Sequence, residues 1–227
     1  MCQVIVGGYV PTSLLDWPGM VCASLFTAGC NLRCPFCHNP ELVPVPVAGD
    51  GPEAFLRVVE GRRAFLDGVC ISGGEPCMHR GLGELMARIR SMGLKVKLDT
   101  NGTYPEVLQD LLSRGLVDFV ALDVKAPWDR YGDLTGGFDV ASKVRTSIGI
   151  IRSWGGDYEL RTTWVPKLLS LEDIKAIRFM LKDDAHWVVQ LFRPGRCLDP
   201  SLDQEDPASP APLEEELRGI RVRGIGA

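Results

Sequence analysis

Val69-Cys70-Ile71-Ser72-Gly73-Gly74-Glu75-Pro76 sets a strand-length, mostly apolar run directly against a glycine pair, an acid and a proline. Short runs of this kind bounded by turn formers read as buried strands. Residues 83–92 follow with Leu85, Met86 and Ile89 at helical spacing, and Gly93 stands where a helix commonly ends. The same strand, loop and helix unit recurs along the chain. Strands are predicted over 21–26, 69–72, 95–98, 118–122, 158–163 and 187–191. Helices are predicted over 53–66, opened by Pro52 with Phe55, Leu56, Val59 and Phe65 as its apolar stripe, and over 105–113, 140–154 and 171–181. Pro44–Pro46 breaks the chain before the first helix. Strands alternating with helices require a parallel sheet with right-handed crossovers. Six such units fit 227 residues where eight would be cramped, so the expected fold is α/β, a partial (βα)6 barrel of TIM type with parallel strands. Residues 4–17 read as a small strand or hairpin at its bottom or edge. The barrel is expected to fill 1–198, leaving 199–227 as an irregular Pro- and acid-rich C-terminal tail with room for one short helix.

The first strand runs into Cys30-Asn31-Leu32-Arg33-Cys34-Pro35-Phe36-Cys37, three thiols at spacings of four and three, followed by His38-Asn39. Four thiolates make a closed iron–sulfur site, so a triplet on a tight loop suits a [4Fe–4S] cluster whose fourth iron is open to a ligand. Three other readings compete. Cys34-Pro35-Phe36-Cys37 alone looks like a redox dithiol, but that leaves Cys30 without a task. With His38 it fits a haem-attachment pattern, which calls for export, and no basic segment precedes the apolar run of 1–7. A Cys3His zinc site would need adjacent Cys37 and His38 to reach one tetrahedral ion. Cys-x3-Cys-x2-Cys resembles the radical S-adenosylmethionine (radical SAM) superfamily, in which the methionine part of the cofactor chelates the open iron.

The other polar motifs also fall at the C-terminal ends of their strands, where parallel α/β barrels build active sites. Gly73-Gly74-Glu75 would otherwise be only a turn; here the glycines allow close approach of a ligand, and Glu75 can brace the loop or meet an ammonium group. Asp99-Thr100-Asn101-Gly102 can be a plain β-to-α turn, with Asn-Gly supplying a positive φ. Asp123 and Lys125, two apart, face one side. In isolation they would be a solvated ion pair; at a barrel mouth Lys125 is a candidate for the cofactor carboxylate. Asp99 and Asp123 are candidates to share a monovalent cation or ribose hydroxyls, and Arg161 to bind cofactor or substrate. The bland readings win for His79, a surface loop residue, and for the five tryptophans, which are packing residues.

Composition narrows the class. A net charge of −4 offers no nucleic-acid surface, and no apolar run approaches the length of a membrane span. Eight cysteines with no secretory leader argue for a reducing, cytoplasmic setting rather than a disulfide framework. Cys2, Cys22, Cys70 and Cys197, mostly flanked by apolar residues, read as buried structural thiols; Cys77 is unexplained.

From residue 8 to 199 these segments resemble one branch of that superfamily: the activating proteins of anaerobic ribonucleoside-triphosphate reductase, within the activases of glycyl-radical enzymes. The resemblance rests on residues 12–19, 26–42 including Cys37-His38-Asn39-Pro40-Glu41-Leu42, 71–76, 97–103, 122–127, 161–163 and 190–194. Cys77 departs from it, since threonine is usual there, and so does the tail. The resemblance implies a six-unit partial barrel. Cys30, Cys34 and Cys37 would hold the cluster, while Phe36, His38, Gly74 and Asp123, Val124 and Lys125 would contact S-adenosyl-L-methionine. It implies a one-electron donor such as flavodoxin or ferredoxin, and cleavage of the cofactor to a 5′-deoxyadenosyl radical that takes hydrogen from a backbone glycine of the partner enzyme. Only Cys197 lies beyond Cys77, so no second cluster domain is expected.

Overall fold

The computed structural model describes residues 4–44, 50–204, 207–216 and 218–224; Cys2 and, of the expected break at Pro44–Pro46, Val45 and Pro46 lie outside them. In chain order the elements are β1 (Val6–Ser13), β2 (Cys22–Thr27), α1 (Glu53–Arg62), β3 (Gly68–Gly73), α2 (Leu82–Ser91), β4 (Lys95–Thr100), α3 (Pro105–Ser113) and β5 (Phe119–Asp123). They continue with α4 (Tyr131–Thr135), α5 (Ala141–Trp154), β6 (Asp157–Trp164), α6 (Leu171–Met180), β7 (Trp187–Leu191), α7 (Ala211–Glu216) and β8 (Arg221–Gly224). All six predicted strands and all five predicted helices are present within a few residues of their expected bounds. No helix among the described residues is long and apolar enough to cross a membrane.

The chain divides into two compact units. The first takes in the described parts of Met1–Asn31, Glu41–Ala121 and Lys143–Tyr158. Its sheet places β1, the small strand expected within 4–17, antiparallel to β2, and β2, β3 and β4 parallel to one another. Val69, Cys70 and Ile71 of β3 are all fully buried, the pattern of a parallel strand covered on both faces. Leu82, Leu85, Met86 and Ile89 bury the inner stripe of α2, and Gly93 follows it with φ +82°, a backbone conformation that glycine adopts without a Cβ penalty. Pro105 occupies the first turn of α3, where its missing N–H costs nothing. The stripe of the first helix is shorter than expected. It ends at Arg62, so Phe65 falls beyond it and is 81% exposed.

The second unit takes in Leu32–Pro40, Leu122–Ser142 and the described parts of Glu159–Ala227. β6, β7 and β8 are parallel. Ser170 caps α6 in a reciprocal capping box with Asp173, and Ile174 and Ile177 bury its inner face. The Pro- and acid-rich stretch supplies α7, the short helix expected there, and adds β8, which pairs with β7 through Val189↔Val222 and Gln190↔Arg223. Arg221-Val222-Arg223-Gly224 holds a single apolar residue, too little for a strand pattern. Leu202 and Leu213 of this stretch are fully buried.

Candidate active site

In the first unit the glycine pair lets two strand ends close on each other. Gly73 has φ +118°, and a side chain there would lie 2.2 Å from Thr27 N; a Cβ on Gly74 would meet the Gly29 carbonyl oxygen at 2.1 Å. Main-chain bonds fill that space. Gly74 N–H donates to Thr27 O at 2.8 Å and Glu75 N–H to Gly29 O at 2.9 Å, which seats the chain immediately before Cys30.

Glu75, fully buried, braces this loop to the next one. Its Oε1 accepts from Cys77 N–H at 3.0 Å and from the Thr100 hydroxyl at 2.7 Å, and its Oε2 from Asn101 N–H at 2.7 Å. Burial pushes the carboxyl above its ordinary range, against the pull of those three donors. Asn101 passes the connection on. Its Nδ2 lies 2.9 Å from Asn31 Oδ1 and 3.9 Å from Cys30 Sγ, and its Oδ1 accepts from Thr103 N–H and hydroxyl at 3.0 and 2.6 Å. Asn31 Nδ2 closes the set on Thr103 Oγ1 at 2.9 Å. Sequence reasoning gave Thr100, Asn101 and Thr103 nothing beyond a turn, and Asn31 no task at all. The only available signal was that they are polar residues inside two strand-end motifs.

Cys77 is a packed thiol of this brace, 3.7 Å from Thr100 Oγ1, and burial pushes its pKa well up. His79 is not the surface residue expected. It is half-buried, with Nδ1 accepting Ile5 N–H at 3.4 Å, because the chain that enters β1 packs over the Pro76–Met78 turn. Asp99, at the end of β4, is ion-paired to Lys97 at 2.5 Å and accepts from the Ser72 hydroxyl at 3.3 Å.

In the second unit the cysteine loop is pinned from three sides. Cys37 N–H donates to Cys34 O at 3.1 Å, which turns the loop; Leu198 and Asp199 N–H donate to Cys37 O and Pro35 O at 3.1 and 2.8 Å; Arg33 N–H donates to Thr135 O at 3.0 Å. His38 stacks on Phe192, with ring centroids 5.4 Å apart, and its Nε2 lies 2.9 Å from Arg193 O. Phe36 is buried, with Lys125 Nζ 5.8 Å from its ring centroid, a cation–π placement. Lys125 also pairs with Asp123 Oδ2 at 3.4 Å, while Arg161 Nε donates to Asp123 Oδ1 at 3.0 Å. Both cations are largely buried, so the Asp123–Lys125 pair is not the solvated one that an isolated motif would give. Tyr131 was missed by sequence reasoning. It is buried, accepts Lys125 N–H at 3.2 Å, donates to Asp123 O at 3.3 Å, and burial raises its pKa. Val124 is buried, its N–H bonded to Arg161 O and its carbonyl accepting from Thr162.

The donor set fits an iron–sulfur cluster. Cys30, Cys34 and Cys37 lie outside any disulfide, with Cys30 and Cys37 half-buried, and thiolates are the usual cluster ligands. Among the described residues no three His, Cys, Asp or Glu side chains already form a metal cage, so spacing and donor chemistry carry that fit.

Residues 24–180 match the family model described as the radical SAM superfamily. A Methanocaldococcus jannaschii protein assigned as a glycyl-radical enzyme activating enzyme is 34% identical over 223 residues, 96% of this chain and 90% of its own. The pyruvate formate-lyase-activating enzyme of Clostridium pasteurianum is 30% identical over 186 residues, 75% of this chain and 73% of its own. The 7-carboxy-7-deazaguanine synthase of Hyperthermus butylicus is 38% identical over only 85 residues, 37% of this chain and 35% of its own. Among solved structures, a radical SAM methyltransferase from Sphaerobacter thermophilus matches with a TM-score of 0.68 at 16% identity, covering 92% of this chain and 67% of its own. Streptococcus suis SuiB bound to S-adenosylmethionine matches at 0.65 and 13%, covering 88% of this chain, which spans 48% of that protein. The chain belongs to the radical SAM superfamily and, within it, to the glycyl-radical enzyme activating enzymes. Members of the superfamily use a [4Fe–4S] cluster and S-adenosylmethionine, and the fold is their α/β partial barrel.

Proposed function

We propose that this enzyme installs a glycyl radical on an anaerobic ribonucleoside-triphosphate reductase, with Cys30, Cys34 and Cys37 holding the [4Fe–4S] cluster and a flavodoxin or ferredoxin as electron donor. The observation that carries the activase reading is the near end-to-end match to an activating enzyme; the synthase match, which favours a small-molecule substrate, stops at about a third of the chain. When bound, the cluster and S-adenosylmethionine supply a one-electron cleavage whose 5′-deoxyadenosyl radical can take a hydrogen atom from a glycine. The chain's own residues position and shield. Gly73 and Gly74 keep side chains out of the space beside Cys30, and Glu75 and Asn101 hold that end of the loop. Phe36, His38 and Phe192 wall the other end. Lys125, oriented by Asp123 and by Phe36, takes the cofactor carboxylate, with Val124 and Arg161 beside it; Asp99, at the end of β4, is a separate candidate contact.

Mixing the reduced enzyme and S-adenosylmethionine with such a reductase is expected to give 5′-deoxyadenosine and a glycyl radical doublet by electron paramagnetic resonance. A reductase with that glycine changed to alanine should give none. Turnover of a small metabolite, with no radical on any protein partner, would move the enzyme to the second reading.

Lys125→Ala is expected to keep its iron and lose affinity for S-adenosylmethionine by about ten- to a hundredfold, the worth of one charge-assisted hydrogen bond. Calorimetry on the iron-loaded variant reads this directly, and unchanged affinity would place the carboxylate elsewhere. Gly74→Val is a different probe. Its Cβ would overlap the Gly29 carbonyl at 2.1 Å, displacing the chain at Cys30, so iron should be lost along with the cofactor.

A further inference from the structure

The stretch at 221–224, expected only as tail, brings a charged side chain to one face of the second unit's sheet. Arg223 lies beside Gln190 of β7, and Gln190 beside Thr163 of β6, so all three project from the same face. Arg161 and Glu159 project from that face too, two and four residues back from Thr163 along β6. Over the intervening β7 the Arg223 guanidinium forks onto Glu159, with Nη2 2.9 Å from Oε1 and Nη1 3.4 Å from Oε2.

Glu159 is only 7% exposed, and a carboxylate so buried needs a cation beside it. Two guanidinium groups are near it, and they are not placed alike. Arg223 makes the two-pronged contact that suits a planar guanidinium and a carboxylate. Arg161 Nη1 stands off at 4.0 Å from Oε1, while its Nε donates to Asp123 Oδ1 at 3.0 Å. Asp123 in turn meets Lys125 Nζ at 3.4 Å with its other oxygen. Charge therefore alternates from Arg223 through Glu159, Arg161 and Asp123 to Lys125. Arg161 is the shared member, a cation set between two acids and close to only one of them. The acid that lacks a second cation draws it harder, since attraction between charges strengthens as they approach and leave water.

We propose that Arg223 is a positioning residue for the cofactor site, which makes β8 part of the working enzyme. By forking onto Glu159 it supplies that acid's countercharge, so Arg161 stays on Asp123. Asp123 then holds Lys125 only loosely, and the ammonium is available to the cofactor carboxylate. Without Arg223, Glu159 draws Arg161 toward itself, and Asp123 closes on Lys125 in its place. The last link, from Lys125 to the carboxylate, rests on the function proposed above; the control of Arg161 by Arg223 does not.

The test compares the native chain, Arg223→Met, the double variant Arg223→Met/Glu159→Gln, and Lys125→Ala. Without cluster or cofactor, Arg223→Met should unfold roughly 4–8 °C below the native midpoint, because it leaves a buried acid short of a cation. Glu159→Gln removes that acid, so the double variant should recover most of the loss. The iron-loaded forms are then titrated with S-adenosylmethionine in a calorimeter. Arg223→Met should keep its iron and bind about tenfold more weakly. The double variant should return to within about twofold of native affinity, since Glu159 no longer draws Arg161 off Asp123. Native affinity in Arg223→Met overturns the proposal, and a weakened Lys125→Ala beside it leaves the cofactor reading intact. A double variant that still binds weakly also overturns it: with the acid gone, the loss would come from the fold of β8 and not from charge. Should Arg223→Met not fold, Arg223→Lys takes its place, its compact ammonium lacking the fork. A loss of about threefold or more, recovered on adding Glu159→Gln, is then expected, and native affinity overturns the proposal. If Arg223→Met is weak and rescued while Lys125→Ala binds as native, the control of Arg161 stands and the carboxylate partner is not Lys125.

Discussion

Cys34→Ala is expected to lose all cluster iron and with it all cleavage of S-adenosylmethionine, where the native chain, reconstituted without oxygen, should hold about four irons. Cys30→Ala and Cys37→Ala should do the same, because three thiolates are the minimum that leaves one iron open. The contrast with the other described cysteines makes the experiment informative. A metal ligand must be a thiolate, and burial works against the anion. Cys70 and Cys77 are buried thiols whose pKa values burial pushes well up. Cys197 is pushed up to about 11 by burial and then by Asp203. All three lie outside the triplet and serve as packed thiols, so Cys70→Ala, Cys77→Ala and Cys197→Ala should keep the cluster, with stability the property that changes. Iron and sulfide analysis with visible absorption decides it. A Cys77→Ala chain as empty of iron as Cys34→Ala would refute the three-thiolate assignment.

The second large effect belongs to Glu75. Truncation to alanine leaves Asn101 and Cys77 N–H without acceptors in a fully buried setting and frees the Thr100 hydroxyl. Each abandoned main-chain donor costs about 1–3 kcal/mol, so Glu75→Ala should lose roughly 3–5 kcal/mol in chemical denaturation. Glu75→Gln keeps the shape but not the chemistry. Either way round, its NH2 faces one of those two N–H groups, for an expected cost of about 1–3 kcal/mol. The pH dependence has a definite sign. The folded carboxyl has its pKa raised, with burial the largest cause. Its contribution to stability is therefore fully present below the ordinary carboxylate pKa and is lost as pH rises through the higher folded value. Native stability should fall across that window, and Glu75→Gln should remove this part of the slope. Because Asn101 carries the brace on to Asn31 and Cys30, both variants should also load iron less completely. A Glu75→Ala chain with native stability and full iron would show that the brace is dispensable.

Hydrophobic periodicity and turn chemistry are local properties, and they were enough to locate six strands, five helices and the loops that end the strands. Cysteine spacing is likewise local, and it points to the superfamily by itself. What the sequence could not supply were bonds between loops far apart in the chain. Glu75 meets Asn101 across 26 residues, and Asn101 meets Asn31 across 70. Whether a strand-end acid touches a ligand or braces its neighbours depends on which donors the sheet brings to it, and no pattern along one strand contains that information. The same holds for β8, a strand by virtue of its partner β7, and for Tyr131, whose hydroxyl serves the Asp123–Lys125 segment. It holds most clearly for Lys97. On the chain it is a polar interruption in a β run; in the folded sheet it is a buried ammonium at 2.5 Å from Asp99. Residue types and their spacing determined the class of chemistry, whereas the three-dimensional pairing of charges and donors decided how each side chain serves it. The reason is that solvation and hydrogen bonding respond to distance in space, and sequence separation sets no such distance.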